Sequence, residues 1–84
     1  MTLKNAVNEV MDFAKAHDCD LNVAEAKIAY EITSGDRDFM TLDELNEAKA
    51  FLVANYNIVV DARQTGDETK YNEALAEWKN GKRN

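Results

Sequence analysis

The sequence contains no proline, three glycines and a single cysteine among its 84 residues. All-β domains need turn residues at about every eight to twelve positions, so this scarcity disfavours an all-β fold. One cysteine excludes a disulfide within the chain, and one histidine excludes a His-rich zinc site. A helical protein without disulfides is therefore expected.

Positive charge and long apolar runs are also scarce. Ten Lys and Arg residues face sixteen Asp and Glu residues, which gives a net charge of −6. Binding to nucleic acid or to anionic lipid requires cationic groups, so both are disfavoured. No apolar run approaches the ~18 residues of a membrane span. The stretch Met1–Asn5 lacks the basic start of a secretory signal, and a cytoplasmic location is expected.

The composition is that of one folded domain. Hydrophobic residues make up 45% of the chain and charged residues 31%, which is enough apolar material for collapse. Twelve alanines favour helix. We therefore predict a single acidic helical domain over residues 1–84.

Apolar spacing and capping residues mark the first two helices. Thr2 precedes apolar residues at three- and four-residue intervals, the pattern of one buried helical face. His17–Asp20 breaks this pattern. Asn22 and Glu25 then fit a capping box, and Gly35 fits the left-handed position after a helix. The first stripe comprises Leu3, Ala6, Val7, Val10, Phe13 and Ala14, and the second comprises Ala24, Ile28 and Ile32.

The third predicted helix is unusually long. Thr41 and Glu44 form a capping box at its start, and no helix breaker follows until Thr65–Asp67. This allows about 23 residues, or roughly 35 Å. Asn55 and Asn57 are the weak points inside it.

A shorter fourth helix follows. Asp67 is predicted to cap it, and Gly81 is predicted to close it. The cations Lys79, Lys82 and Arg83 complement the dipole at its end. Its apolar stripe comprises Tyr71, Ala74, Leu75 and Trp78.

The middle of the third helix is dense in apolar residues, with nine hydrophobic positions among residues 50–60. Three interpretations remain open. The helix is central and covered by the other three, part of it is an exposed self-association surface, or residues 57–62 form a strand. The first interpretation predicts an all-α, four-helix bundle-like domain with a central third helix. The self-association surface would comprise Phe51, Val53, Tyr56 and Val60.

No set of residues points clearly to catalysis, a metal or a cofactor. His17 and Cys19 lack further Cys or His ligands, and a catalytic pair would need a third orienting group. The segment ending at Glu44 resembles the end of an EF-hand loop, but its oxygen-ligand positions hold the wrong residues. Ser34 is the only serine. A non-enzymatic protein without metal or cofactor is expected, and a thiol- or metal-dependent enzyme at His17 and Cys19 is the least favoured alternative.

The negative charge is unevenly distributed. Residues 1–47 carry eleven acidic and four basic side chains, which gives −7, and residues 48–84 carry +1. Such a face is either simply solvated or attracts a basic surface. Seven acids in the first two loops and at the start of the third helix would supply the field: Asp18, Asp20, Asp36, Asp38, Asp43, Glu44 and Glu47.

Two functional hypotheses follow. The first is an acidic protein-binding module that docks on a basic, nucleic-acid-binding surface of another protein, with Phe39 or Met40 as hydrophobic anchor. Phage-encoded anti-restriction and anti-CRISPR inhibitors, some of which mimic DNA, share this small, acidic, helical character, as do nuclease immunity proteins and adaptor bundles. This is an analogy of type that carries over no residue. The second hypothesis is a self-associating structural or adaptor subunit, such as a homodimer.

Overall fold

The structure, a computed structural model, describes residues 1–81, which form four α-helices and no strand. This confirms the all-α prediction, and the alternative of a strand at residues 57–62 is wrong because that segment is helical. The predicted cations Lys82 and Arg83 lie outside the described residues. The helices are α1 (Leu3–Ala16), α2 (Leu21–Thr33), α3 (Leu42–Thr65) and α4 (Thr69–Gly81).

The first helix begins and ends as predicted. The Thr2 hydroxyl accepts a hydrogen bond from the Asn5 backbone N–H at 3.1 Å. His17 is the C-cap, and Asp18 follows in the left-handed region with φ of 49°. The buried face comprises Ala6, Val7, Val10 and Phe13.

The second helix begins at a different cap from the predicted one. Asp20, not Asn22, is the N-cap, and its Oδ1 accepts from the Val23 backbone N–H at 2.8 Å. A cap residue needs extended backbone just before the first turn, which Asp20 has with φ of −78° and ψ of 173°. Asn22 already lies inside the helix. The predicted end is confirmed, since Gly35 adopts φ of 85°.

The third helix contains 24 residues, close to the predicted length. Its capping box is reciprocal: the Glu44 N–H donates to Thr41 Oγ1 at 3.1 Å, and the Thr41 N–H donates to Glu44 Oε1 at 2.8 Å. Of the two predicted weak points, Asn55 has non-helical φ and ψ of −132° and 26°, whereas Asn57 is helical. The Asn55 amide donates to the Phe51 carbonyl at 3.3 Å across this break.

The fourth helix begins two residues after its predicted cap. Asp67 Oδ1 accepts from the Thr69 backbone N–H at 3.0 Å and from the Thr69 hydroxyl at 2.7 Å. These hydrogen bonds hold the pKa of Asp67 below its ordinary value. Asp67 therefore stabilises the start of α4, as predicted, although it lies two residues before the helix begins at Thr69.

The chain divides into two compact units, Met1–Ala50 and Phe51–Asn84, with the boundary inside α3. The prediction of one domain with a central third helix stays a prediction.

Aromatic rings pack together in the second unit. The centroid of the Phe51 ring lies 6.2 Å from that of Tyr71 and 5.6 Å from that of Trp78, which it meets edge-on. Within residues 1–81, no helix has the length and apolar character needed to cross a membrane. The buried residues of the first unit are Ala6, Val7, Val10, Phe13, Ala24, Ile28, Met40, Leu45 and Ala48, and those of the second are Phe51, Leu52, Val59, Ala62, Tyr71 and Ala74.

Candidate functional site

The uneven charge follows the division into units. The Met1–Ala50 unit carries eleven acidic and five basic side chains, so its formal charge is −6. The Phe51–Asn84 unit carries five of each and is neutral. The candidate surface for a basic partner therefore lies on the first unit.

The seven predicted acids fall into two groups on this unit. Asp18 and Asp20 lie before α2, and the other five lie after it. Because α2 has 13 residues, the groups are separated by roughly 20 Å. The Debye length at physiological salt is about 8 Å, so each group acts largely on its own.

Several carboxylates of the unit are already bound to groups of the chain. Glu25 pairs with Lys49 at 3.1 Å, and Glu44 pairs with the Met1 amino group at 3.0 Å. The pKa of Glu44 is lowered, first by the Thr41 backbone N–H and next by that amino group. Glu44 thus holds the start of α3 in place, and its reversal would disturb the fold as well as any interface.

The remaining predicted acids differ in how freely they can meet a partner. The Asp20 carboxylate already caps α2. The half-buried Glu47 already interacts with another group of the chain. Asp36 accepts one hydrogen bond, from the Ser34 hydroxyl at 3.2 Å. Three others are exposed, and their carboxylates make no hydrogen bond or ion pair within residues 1–81: Asp18, Asp38 and Asp43.

Arg37 is the organising side chain of the loop between α2 and α3. Its guanidinium pairs with Glu9 of α1 at 3.0 Å and with Glu31 of α2 at 2.7 Å. The same group lies 5.7 Å from the centre of the Phe13 ring and 5.3 Å from that of Phe39. With 15% of its side chain exposed, Arg37 fixes the loop to both helices. The sequence did not predict this role of Arg37; its one signal is a single cation in an acid-rich loop.

The two predicted anchors have opposite environments. Met40 is 2% exposed and belongs to the core, so its assignment as an anchor is wrong. Phe39 is 53% exposed, and Leu42 nearby is 45% exposed. We define the loop patch as these two apolar side chains and the three neighbouring carboxylates: Asp36, Asp38, Phe39, Leu42 and Asp43. Exposed apolar side chains in a segment with several carboxylates are candidates for contact with a surface that is both apolar and basic.

A groove along α1 and α2 was not predicted. Val23 and Tyr30 of α2 line it and are 40% and 73% exposed. Phe13 of α1 and His17, the C-cap of α1, line its other side. The volume of the groove is about 770 Å³. The sequence pattern marks the opposite, buried stripe of α2 more strongly, and for that reason it did not indicate the groove. The spacing of Val23, Ala26 and Tyr30 was the available signal.

The predicted self-association residues do not form one exposed surface. Phe51 is 0% exposed, so its assignment to a symmetric interface is wrong. Val53 and Tyr56 are 74% and 46% exposed, and Val60 is half-buried. The non-helical Asn55 lies between the two exposed residues.

His17 and Cys19 have separate surroundings. The His17 ring stacks on Phe13 with 4.1 Å between centroids, and no hydrogen bond joins it to the half-buried Cys19 within the described part of the chain. Among residues 1–81, no group of three or more His, Cys, Asp or Glu side chains could hold a metal ion.

No family model, curated protein or solved structure matches this chain.

Proposed function

We propose that this chain is a non-enzymatic protein-binding module. Its Met1–Ala50 unit docks through the loop patch onto a basic, nucleic-acid-binding surface of another protein and so blocks that surface. The supporting observation is that Phe39 is 53% exposed in a segment that also carries the exposed carboxylates of Asp38 and Asp43, which have no partner within residues 1–81.

The loop patch is suited to binding because it is held in place before a partner arrives. Phe39 rests against the Arg37 guanidinium, which is itself paired to Glu9 and Glu31. The capping box of Thr41 and Glu44 fixes the other end of the loop. A preordered anchor loses less conformational entropy on binding, and buried aromatic anchors contribute much of the affinity of interfaces.

The charge of the unit indicates the class of partner. A field from a unit of charge −6 attracts basic surfaces and repels acidic ones. Proteins that bind nucleic acid carry basic surfaces because they must displace counterions from phosphate. An acidic surface with an apolar anchor would compete with nucleic acid for such a basic surface.

The proposal is tested by capturing the partner from lysate of the source cell and titrating the purified partner by calorimetry. The test variant is Asp38→Lys with Asp43→Lys, which leaves the Thr41 and Glu44 cap intact. Asp61→Lys with Glu73→Lys is the matched control, because it makes the same charge change at exposed residues of the second unit.

We expect the loop variant to bind at least about tenfold more weakly, a loss of about 1.4 kcal/mol, and the control to bind as the parent does. Helical circular dichroism should be unchanged in both variants. Parent-like binding by the loop variant, or equal weakening by the control, would refute docking through this patch.

A second candidate function is self-association through the second unit. Val53 and Tyr56, at 74% and 46% exposure, are its large exposed hydrophobic residues within residues 51–81. If they form an interface, light scattering should show a concentration-dependent dimer that Val53→Lys abolishes. A constant mass near 9.5 kDa at high concentration would remove this candidate.

A further inference from the structure

We propose that the groove along α1 and α2 receives an amphipathic basic helix of the partner protein. This rests on the proposed function and names the structural element that the partner contributes. The groove is lined by apolar side chains of both helices and by Asp36, which also belongs to the loop patch.

The apolar part of the groove has the spacing that a helix can match. Val23, Ala26 and Tyr30 lie at positions i, i+3 and i+7 of α2, so they follow one face. Asn22 and Glu31 mark its ends along α2, a rise of roughly 13 Å, or about two and a half helical turns. Apolar side chains at the corresponding spacing of a partner helix would cover this face.

The charge at one end of the groove determines the character of its occupant. Glu31 and Asp36 line the end at which α2 terminates, where the helix dipole adds negative potential. Glu31 is already paired with Arg37. The Asp36 carboxylate accepts a hydrogen bond from the Ser34 hydroxyl and has no cation bound, so it can pair with a cation of the partner. Lys27 also lines the groove, and it favours a polar or acidic position on the facing part of the occupant.

The groove and the loop patch are adjacent. Phe13 lines the groove, and the Arg37 guanidinium lies 5.7 Å from the Phe13 ring and 5.3 Å from the Phe39 ring. One partner element can therefore place apolar side chains against Tyr30 and cations against Asp36 and Asp38. The two features together make one binding surface on the first unit.

The test is a titration of the ¹⁵N-labelled chain with synthetic helical peptides about four turns long. One peptide has a leucine face and a lysine face. A second replaces leucine by serine at the same charge, and a third replaces lysine by glutamate. We expect the leucine–lysine peptide to shift the amide resonances of Val23, Ala26 and Tyr30. The serine–lysine peptide should bind at least about tenfold more weakly, and the leucine–glutamate peptide should not bind.

The chain supplies its own matched control for this groove. Tyr30→Ser removes the ring of a residue that is 73% exposed in the groove without changing charge, and Tyr56→Ser does the same at a 46% exposed tyrosine of the second unit. We expect Tyr30→Ser to bind the leucine–lysine peptide at least about tenfold more weakly and Tyr56→Ser to bind it as the parent does. Equal behaviour of the two variants would overturn the proposal.

The outcomes separate this inference from the proposed function. Equal binding of the leucine–lysine and serine–lysine peptides would overturn the groove proposal and leave docking of a basic partner intact. The leucine–lysine peptide could bind the groove while the variant Asp38→Lys with Asp43→Lys binds the partner as the parent does. That result would refute docking through the loop patch and leave the groove proposal intact. Concentration-dependent shifts at Val23 and Tyr30 without peptide would identify a second copy as the occupant and overturn the basic helix.

Discussion

Removing the Arg37 side chain should destabilise the first unit by more than an ordinary surface substitution does. The guanidinium joins Glu9 of α1 to Glu31 of α2, and it packs against the rings of Phe13 and Phe39. Arg37→Ala removes all four contacts. It also leaves two carboxylates beside the site without their cation.

The size of the effect follows from the exposure of the groups. The side chains of Glu9 and Glu31 are 39% and 34% exposed, so solvent screens each pair to about 0.5 kcal/mol. Each contact with an aromatic ring adds about 0.5–1 kcal/mol. The total is about 2–3 kcal/mol, against an overall stability of about 4–13 kcal/mol for a chain of this length.

Urea unfolding followed by far-ultraviolet circular dichroism measures this loss. With a slope of about 1 kcal/mol per molar urea, the midpoint of Arg37→Ala should fall by about 2–3 M. Arg37→Lys keeps the charge but loses the planar guanidinium and its stacking on the rings, so its urea midpoint should fall by about half as much. Lys27→Ala removes an exposed cation without a partner in residues 1–81 and should change stability by less than about 0.5 kcal/mol.

A loss below about 0.5 kcal/mol for Arg37→Ala would show that these contacts do not hold the loop. Parent-like stability of Arg37→Lys beside a full loss for Arg37→Ala would instead assign the effect to charge alone. Either result would also remove the argument that Phe39 is preordered.

Three further predictions concern single residues. Asp20→Ala should lower stability by about 1 kcal/mol in urea unfolding because the Val23 N–H loses its acceptor, whereas Asn22→Ala should not; the reverse order would restore Asn22 as the cap. Because the folded-state pKa of Glu44 lies below its ordinary 4.5, its contribution is complete above that value and is lost as pH falls through the folded pKa. The urea midpoint should therefore fall more steeply with acid in the parent than in Glu44→Gln, and parallel profiles would contradict this. Burial raises the pKa of Tyr71 to about 12, so stability should fall as pH rises from about 10 to 12. Tyr71→Phe should remove a late step from the absorbance titration, and an unchanged titration would refute the assignment.

Helix ends were predictable because their signals are local. Thr41 and Glu44 are three residues apart and bind each other as their sequence pattern indicates. Gly35 adopts the positive φ that ends a helix. The cap of α2 was misassigned because two suitable residues, Asp20 and Asn22, stand two positions apart. The backbone after the left-handed Asp18 decides between them.

The candidate surface was predictable only in outline, because it depends on contacts that are distant in sequence. Arg37 and Glu9 are 28 positions apart, and no local pattern pairs them. Phe39 and Met40 are adjacent and both apolar, yet one is exposed and the other is buried. The path of the loop decides which side chain faces the core, and that path depends on the contacts of Arg37.

The charge available to a partner is smaller than the sequence count suggests, and this changes what electrostatics can do. Exposed ion pairs contribute about 0.2–1 kcal/mol each, so the three carboxylates of the loop patch supply orientation more than affinity. If the proposed docking is correct, we expect most of the affinity to come from the apolar contacts of Phe39 and Tyr30. Added salt should therefore slow association with a basic partner while changing dissociation little, and surface plasmon resonance over a range of salt concentrations separates the two rates. If dissociation instead accelerates steeply with salt while Phe39→Ala binds normally, charge alone holds the complex.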